Sequence, residues 1–199
     1  GGRRSSACGG AGRAVGGVGE LLRAAGAGGE GGRAGVVGLD DAQARQACAD
    51  AAEGGVVEAV NFNAPGQVVI AGQVSAVERA IEACKAAGAK RAMALPVSVP
   101  SHCALMRPAA DKLAEQLQST KFFAPELPVI NNVDVSAESD PDSIRGALVR
   151  QLHSQGRGSE TVRALAADGR SPPSASGPGQ VPCGLPRAYK RGQDAHPPG

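Results

Sequence analysis

The residues with the types and setting for proton-transfer chemistry stand together in one run, Leu95-Pro96-Val97-Ser98-Val99-Pro100-Ser101-His102-Cys103. An imidazole has an ordinary pKa of about 6.5, so it can take and return a proton near neutrality. His102 is one of three histidines and the one that lies inside well-patterned sequence. Cys103 precedes a helical pattern, and a helix N-terminus favours the reactive thiolate. Neighbours in sequence rarely turn their reactive atoms toward one another, and a nucleophile must reach its base at hydrogen-bond distance. His102 is therefore expected to serve a partner other than Ser101 or Cys103. The bland alternative is a solvated loop histidine, which is also the reading of His153 and His196 in weakly patterned sequence.

The elements that must hold this run can be read from spacing. Val36 to Leu39 reads as a strand, followed by Asp40 as a helix cap with Gln43 three residues on. Ala44, Ala47, Cys48 and Ala51 recur at helical spacing. Val56 to Asn63 and Gln67 to Ala71 read as strands around the turn Asn63-Ala64-Pro65-Gly66. Ser75-Ala76-Val77-Glu78 has the form of a capping box for a second helix that ends at Gly88, and Lys90 to Leu95 is a fourth strand. The order β-α-β-β-α-β is that of a ferredoxin-like unit.

Beyond His102, a helix with Pro108 in its first turn points Ala109, Leu113 and Leu117 inward. Leu127 to Val133 reads as a buried strand. Asp140-Pro141 opens a helix whose apolar face is Ile144, Leu148 and Leu152. Ser159 to Gly169 reads as one more short helix, and no period is visible from Arg170 onward.

Composition excludes several classes. With 21 basic and 19 acidic residues, the net charge of +2 gives no general argument for nucleic acid or an anionic membrane. RNA-recognition modules share the strand order but stack bases on aromatic residues, and only Phe62 is available for that. No apolar run approaches the roughly 20 residues that span a bilayer, and the N-terminus lacks a signal-peptide profile. The five cysteines are scattered and form no C-x-x-C, against a disulfide framework or a zinc site. A cytoplasmic protein with reduced thiols is expected, with no metal and no cofactor. Residues 1–35 are rich in glycine, arginine and alanine, too poor in large apolar groups to offset chain entropy.

Two longer runs carry a resemblance. Asn61-Phe62-Asn63-Ala64-Pro65-Gly66-Gln67-Val68-Val69-Ile70-Ala71-Gly72 and Pro96 to Cys103 resemble malonyl-CoA:acyl carrier protein transacylases, as do Asn131-Asn132-Val133-Asp134 and Leu148-Val149-Arg150-Gln151-Leu152. The likeness runs from about Val36 to Leu152, with traces in Glu160 to Gly169 and Gly177 to Val181. It implies an α/β fold in which a ferredoxin-like α+β small subdomain, here 36–97, is inserted into an α/β-hydrolase-like large subdomain. Residues 98–152 would be the C-terminal part of that large subdomain, which is incomplete here, and 153–199 a degraded Pro/Gly/Ser-rich tail.

The resemblance also implies an activity: a serine takes malonyl from malonyl-CoA and passes it to the phosphopantetheine thiol of acyl carrier protein. His102 matches the catalytic base, Gln151 the residue whose main-chain carbonyl orients the imidazole, and Ser101 a position beside the acyl group. A monomer with malonyl-CoA and acyl carrier protein as partners is expected. The family's serine sits in a G-x-S-x-G elbow, and none occurs in these 199 residues. The arginine that pairs the malonyl carboxylate in the family has no matching position either. The chain is thus expected to start just downstream of the elbow and to transfer negligible malonyl by itself. The unusual ends have the composition of GC-rich coding sequence read out of frame. Translating the neighbouring frames of the parent DNA tests this, and absence of family helices there would sink it. The rival expectation is a non-catalytic ferredoxin-like module that docks acyl carrier protein through Lys85, Lys90 and Arg91.

Overall fold

The computed structural model describes residues 31–97 and 99–167. The expectations for residues 1–30, for the tail beyond 167, and for Cys8, Cys183 and His196 lie outside the described residues.

Four strands form one antiparallel sheet in the order β2-β3-β1-β4: β1 Gly31–Val37, β2 Val57–Ala64, β3 Gln67–Gln73 and β4 Arg91–Ala94. Helices α1 (Asp41–Ala51) and α2 (Val74–Ala86) connect β1 to β2 and β3 to β4, and both cover one face of the sheet. Alternation decides which residues go there. Ala34, Val36, Val68 and Ile70 meet Ala44, Ala47, Cys48, Val77, Ala80 and Cys84 in a core of small and branched side chains. Full burial of a residue such as Ile70 contributes roughly 1.5–3 kcal/mol. The Asp40 cap forms as expected: Gln43 N–H donates to its carboxylate at 2.7 Å, and Asp40 N–H donates to the Gln43 side chain at 3.0 Å.

Three boundaries depart from the sequence reading. Strand β1 begins at Gly31 rather than Val36, because β3 supplies a ladder partner for every residue from Gly31 to Val37. Ser75 does not cap α2; the helix follows β3 directly, with Gln73 as N-cap residue and no side-chain cap bond. The Gln73 side chain is engaged elsewhere, accepting from Val56 N–H at 3.0 Å. Strand β2 does not alternate strictly, since bulges intervene between Ala59 and Asn61 and between Phe62 and Ala64. The first bulge turns Phe62 into the helix-side core and Asn61 to the opposite face. There Phe62 is buried with the Arg45 guanidinium over its ring, unable to stack a base.

The second sheet face is covered by the chain after His102. Buried Cys103 packs on Val60 and Ala71, with Leu105 beside them. A 3₁₀ turn, Ala104–Met106, leads into α3 (Arg107–Gln118), which buries Ala109, Ala110, Leu113 and Leu117. Helix α4 (Pro141–His153) starts at an Asp140 cap that accepts from Ser143 N–H at 2.8 Å. Arg145 on α4 donates to the Leu117 carbonyl, satisfying an acceptor at the end of α3.

Helix α5 (Gly158–Ala167) follows a segment that adds to the edge of β2. Phe62 N–H donates to Gly156 O at 3.0 Å and Gly156 N–H to Val60 O at 2.7 Å. A Cβ on Gly156 would stand 2.8 Å from the Asn61 side chain, so a glycine suits this approach. Residues 153–167, where the sequence pattern fades, are thus docked by main-chain pairing that no side-chain period reports. Leu127 to Val133 is no buried strand: Leu127 is 76% exposed and Val129 66%. One isolated bridge, Ile130 to Ala137, is its β pairing among the described residues. An apolar run becomes a buried strand only where a sheet neighbour and a covering layer exist.

Candidate active site

His102 is held from the C-terminal end of α4. The last carbonyls of a helix have no partner inside it and are free to accept. Two of them take His102: the imidazole Nδ1 lies 2.6 Å from Gln151 O, and His102 N–H donates to Leu152 O at 2.9 Å. A carbonyl oxygen can only accept, so Nδ1 carries the proton and Nε2 keeps the lone pair of a base. The backbone of His102 has φ +70°, the left-handed region, which costs on the order of 1–3 kcal/mol and persists only when held. The Leu152 carbonyl is what holds it.

The electrostatics favour the neutral imidazole. Burial lowers the pKa of His102 below the ordinary 6.5, and the positive charge of Arg33 acts in the same direction. The Gln151 carbonyl opposes both, as does the main chain at Ser154 more weakly. The negative end of the α4 dipole lies on the same side and would favour an imidazolium once formed. A base that is unprotonated at neutral pH, with its charged form supported, is suited to taking a proton in a reaction step.

Cys103 does not share that setting. Its thiol donates to Pro100 O at 3.1 Å, and burial pushes its pKa up to about 11. It points beneath the sheet and stays protonated at neutral pH, which removes it as a nucleophile. Ser101 is half-buried beside His102, with its N–H donating to Val99 O. Gln151 lines a cavity of about 450 Å³ together with Phe123, Val129, Ile130, Ile144 and Leu148. His153 lies apart from this, in a second depression with Glu58, Val133 and Arg157.

The run Asn131-Asn132-Val133-Asp134 carries a tie that its sequence did not disclose. Arg157 N–H donates to Asn132 O at 2.8 Å, and the Thr161 hydroxyl to the Asn132 side chain at 3.1 Å. Asp134 accepts from Arg150, the residue before Gln151. This loop thereby fixes the end of α4 that holds His102. Arg33 and Asn61 were also missed as neighbours of the site; Arg33 Nη2 donates to Asn61 Oδ1 at 2.7 Å. Only the position of Asn61 within a resembling run could have drawn attention to it.

The model of the acyl transferase domain matches residues 11–171 of this sequence. The chain belongs to the acyl transferase domain family. Within that family it is 60% identical over 150 residues to the malonyl CoA-acyl carrier protein transacylase of Escherichia coli K12, covering 75% of this chain and 48% of that one. The Haemophilus influenzae transacylase is 53% identical over 167 residues, with 84% and 54% covered. Among solved structures, an acyl carrier protein S-malonyltransferase from Vibrio cholerae is 56% identical, with a TM-score of 0.79 over 82% of this chain and 53% of that one. A malonyl-transacylase in complex with a type II PKS acyl-carrier protein superposes with a TM-score of 0.86 at 49% identity, over 90% of this chain and 58% of that one. The chain spans about half the length of the relatives it matches. The matched range begins upstream of Val36 and ends beyond Leu152, wider than the sequence motifs alone suggested.

Proposed function

We propose that this chain carries the base-bearing half of a malonyl-CoA:acyl carrier protein transacylase site. One observation carries the reading: Nδ1 of His102 is committed to the Gln151 carbonyl at 2.6 Å, leaving Nε2 as a base. In the reaction, Nε2 takes the proton of an attacking serine hydroxyl. The resulting imidazolium, supported by the Gln151 carbonyl and the α4 dipole, returns the proton to the departing thiolate of coenzyme A. In the second half, Nε2 takes the proton of the phosphopantetheine thiol of acyl carrier protein. The malonyl group moves to that sulfur and the serine recovers its proton. Gln151 orients the imidazole, and Ser101 stands beside the acyl group.

The strand order and one-sided helices support a ferredoxin-like small subdomain in residues 31–95, with the rest forming part of an α/β-hydrolase-like large subdomain. A cytoplasmic monomer fits this reading. Cys48, Cys84 and Cys103 are free thiols, and no helix among the described residues is long and apolar enough to cross a membrane. Nothing favours the docking-only alternative, since Lys85, one of its three cations, is engaged by Glu82 at 2.8 Å.

The 199 residues contain no G-x-S-x-G, so the purified chain alone is expected to transfer negligible malonyl to acyl carrier protein. Co-folding it with an elbow-bearing N-terminal half of the Escherichia coli relative should restore transfer. His102→Ala should then lower the restored rate by roughly 10³-fold or more. Restored transfer that is indifferent to His102→Ala would sink the reading.

A further inference from the structure

Val135 stands in the left-handed region at φ +55°, a conformation that a β-branched residue rarely adopts. Asn131 holds it there with every polar group it has. Its N–H and its side-chain Nδ2 donate to Ser136 O at 3.0 and 3.1 Å, and its main-chain oxygen accepts from Val135 N–H at 3.1 Å. Its Oδ1 accepts from Val133 N–H at 3.1 Å and from Asp134 N–H at 2.8 Å. A strained turn persists only where its surroundings determine it, and such turns gather at functional sites.

The side chain that this turn presents is the Asp134 carboxylate. It accepts from Arg150 Nη2 at 2.5 Å, on the last turn of α4 and one residue before Gln151. Arg157 has its pKa raised, chiefly by Glu160 and more weakly by Asp134, and its N–H donates to Asn132 O at 2.8 Å. The turn thus stands between the end of α4 and the start of α5. Helix ends fray, because their last carbonyls lack partners within the helix. The two carbonyls that take His102, those of Gln151 and Leu152, belong to that end. A partly exposed ion pair adds little to global stability. Its effect here is directional: Asn131 has already fixed the carboxylate, so the bond restrains Arg150 and the turn that carries it.

We propose that Asp134 is a positioning residue for His102, setting the last turn of α4 through Arg150 so that the Gln151 carbonyl selects the Nδ1–H tautomer. Asn131 fixes Asp134 for that role. The inference rests on the acyl-transfer reading, in which Nε2 is the base, and adds what keeps Nε2 free. Among the described residues, the charge acting on the ring is that of Arg33 on β1, which a change at Asp134 leaves in place. An influence of Asp134 on the ring therefore travels through the carbonyl.

The test uses the full 199-residue chain, ¹⁵N-labelled, with the His102 ring read by long-range proton–nitrogen correlation at a pH where it is neutral. The wild-type ring should be in the Nδ1–H form. Asp134→Asn should move it toward the Nε2–H form that free histidine prefers, and should raise hydrogen exchange at the His102 amide about threefold. Exchange at Ile70, in the middle of the sheet, should stay as it is, which separates positioning from a general loss of stability. Arg150→Gln should reproduce the shift, and the double variant should go no further than either single one. Asp134→Glu should recover part of the Nδ1–H population. Should Asp134→Asn fail to fold, the same shift is read in Arg150→Gln and Asn131→Ser. A ring that stays Nδ1–H in Asp134→Asn and Arg150→Gln overturns the positioning role and leaves the acyl-transfer reading standing. An equal rise of exchange at Ile70 also overturns it. A wild-type ring in the Nε2–H form overturns both.

Discussion

Residues 31–95 and residues 99–167 treat their apolar side chains in opposite ways. In the first region both helices close over one sheet face, and Ala34, Ile70, Ala80 and Cys84 have no exposed surface. In the second, α3 buries Leu113 and Leu117, but Phe123 is 65% exposed, and Leu127, Val129 and Leu148 also lie open. The cavity lined by several of these residues includes Gln151, whose carbonyl holds the His102 imidazole. The region with the closed core holds its apolar groups away from water, and the region with the open apolar face holds the His102 imidazole through α4. A large exposed apolar patch ordinarily marks a surface that meets something else.

The contrast can be broken most directly in the closed core. Ile70→Ala is expected to lower stability by about 2–5 kcal/mol in urea unfolding, since it leaves a cavity among side chains that cannot collapse. A cost under about 1 kcal/mol would show that the first region is not close-packed. Next comes the support of the site. Asp140→Ala removes the cap of α4 and should cost about 1 kcal/mol. It should also raise hydrogen exchange at the His102 amide, which donates into the far end of that helix. An unchanged exchange rate would mean that His102 is held independently of α4.

A smaller effect concerns pH. His102 has a folded pKa below its unfolded value of about 6.5, because burial disfavours the charged ring. The unfolded chain therefore binds the proton more readily. This contribution to stability is fully present above about pH 6.5 and is lost as pH falls through the folded pKa. His102→Gln should flatten that part of the stability profile, and an NMR titration should place the ring below 6.5. A midpoint above 6.5 would contradict the burial argument. The smallest effect belongs to the open face: Leu127→Ser should change the stability of this chain by no more than about 0.5 kcal/mol. A large loss would show that the residue is covered in solution.

Legibility followed the range of the interactions. Asp40 with Gln43, and Asp140 before Pro141, were readable because a cap is made within the first turn of its own helix. The helix faces Ala44, Ala47, Cys48, Ala51 and Val77, Ala80, Ile81, Cys84 were readable because burial imposes a period of 3.6. Ser75 misled because Gln73, engaged with Val56 across the sheet, already stood at the helix start. Leu127 to Val133 misled because apolar composition does not supply a neighbouring strand. Gly156 gave no signal, since its pairing with Asn61 uses only the main chain.

The sequence by itself determined the order of the strands and helices in the sheet layer, the Asp40-capped start of the first of those helices and the presence of a histidine at the end of a strand-to-helix run. Those are matters of local spacing. Only the tertiary structure decided which nitrogen of His102 is free, that Cys103 is inert, and that Arg33 donates to Asn61 above the same sheet face. Each depends on groups far apart in the chain: Gln151 is 49 residues from His102, and Asn61 is 28 from Arg33. Desolvation and a hydrogen bond to a distant carbonyl set a proton's position, and neither leaves a mark in the spacing of nearby residues.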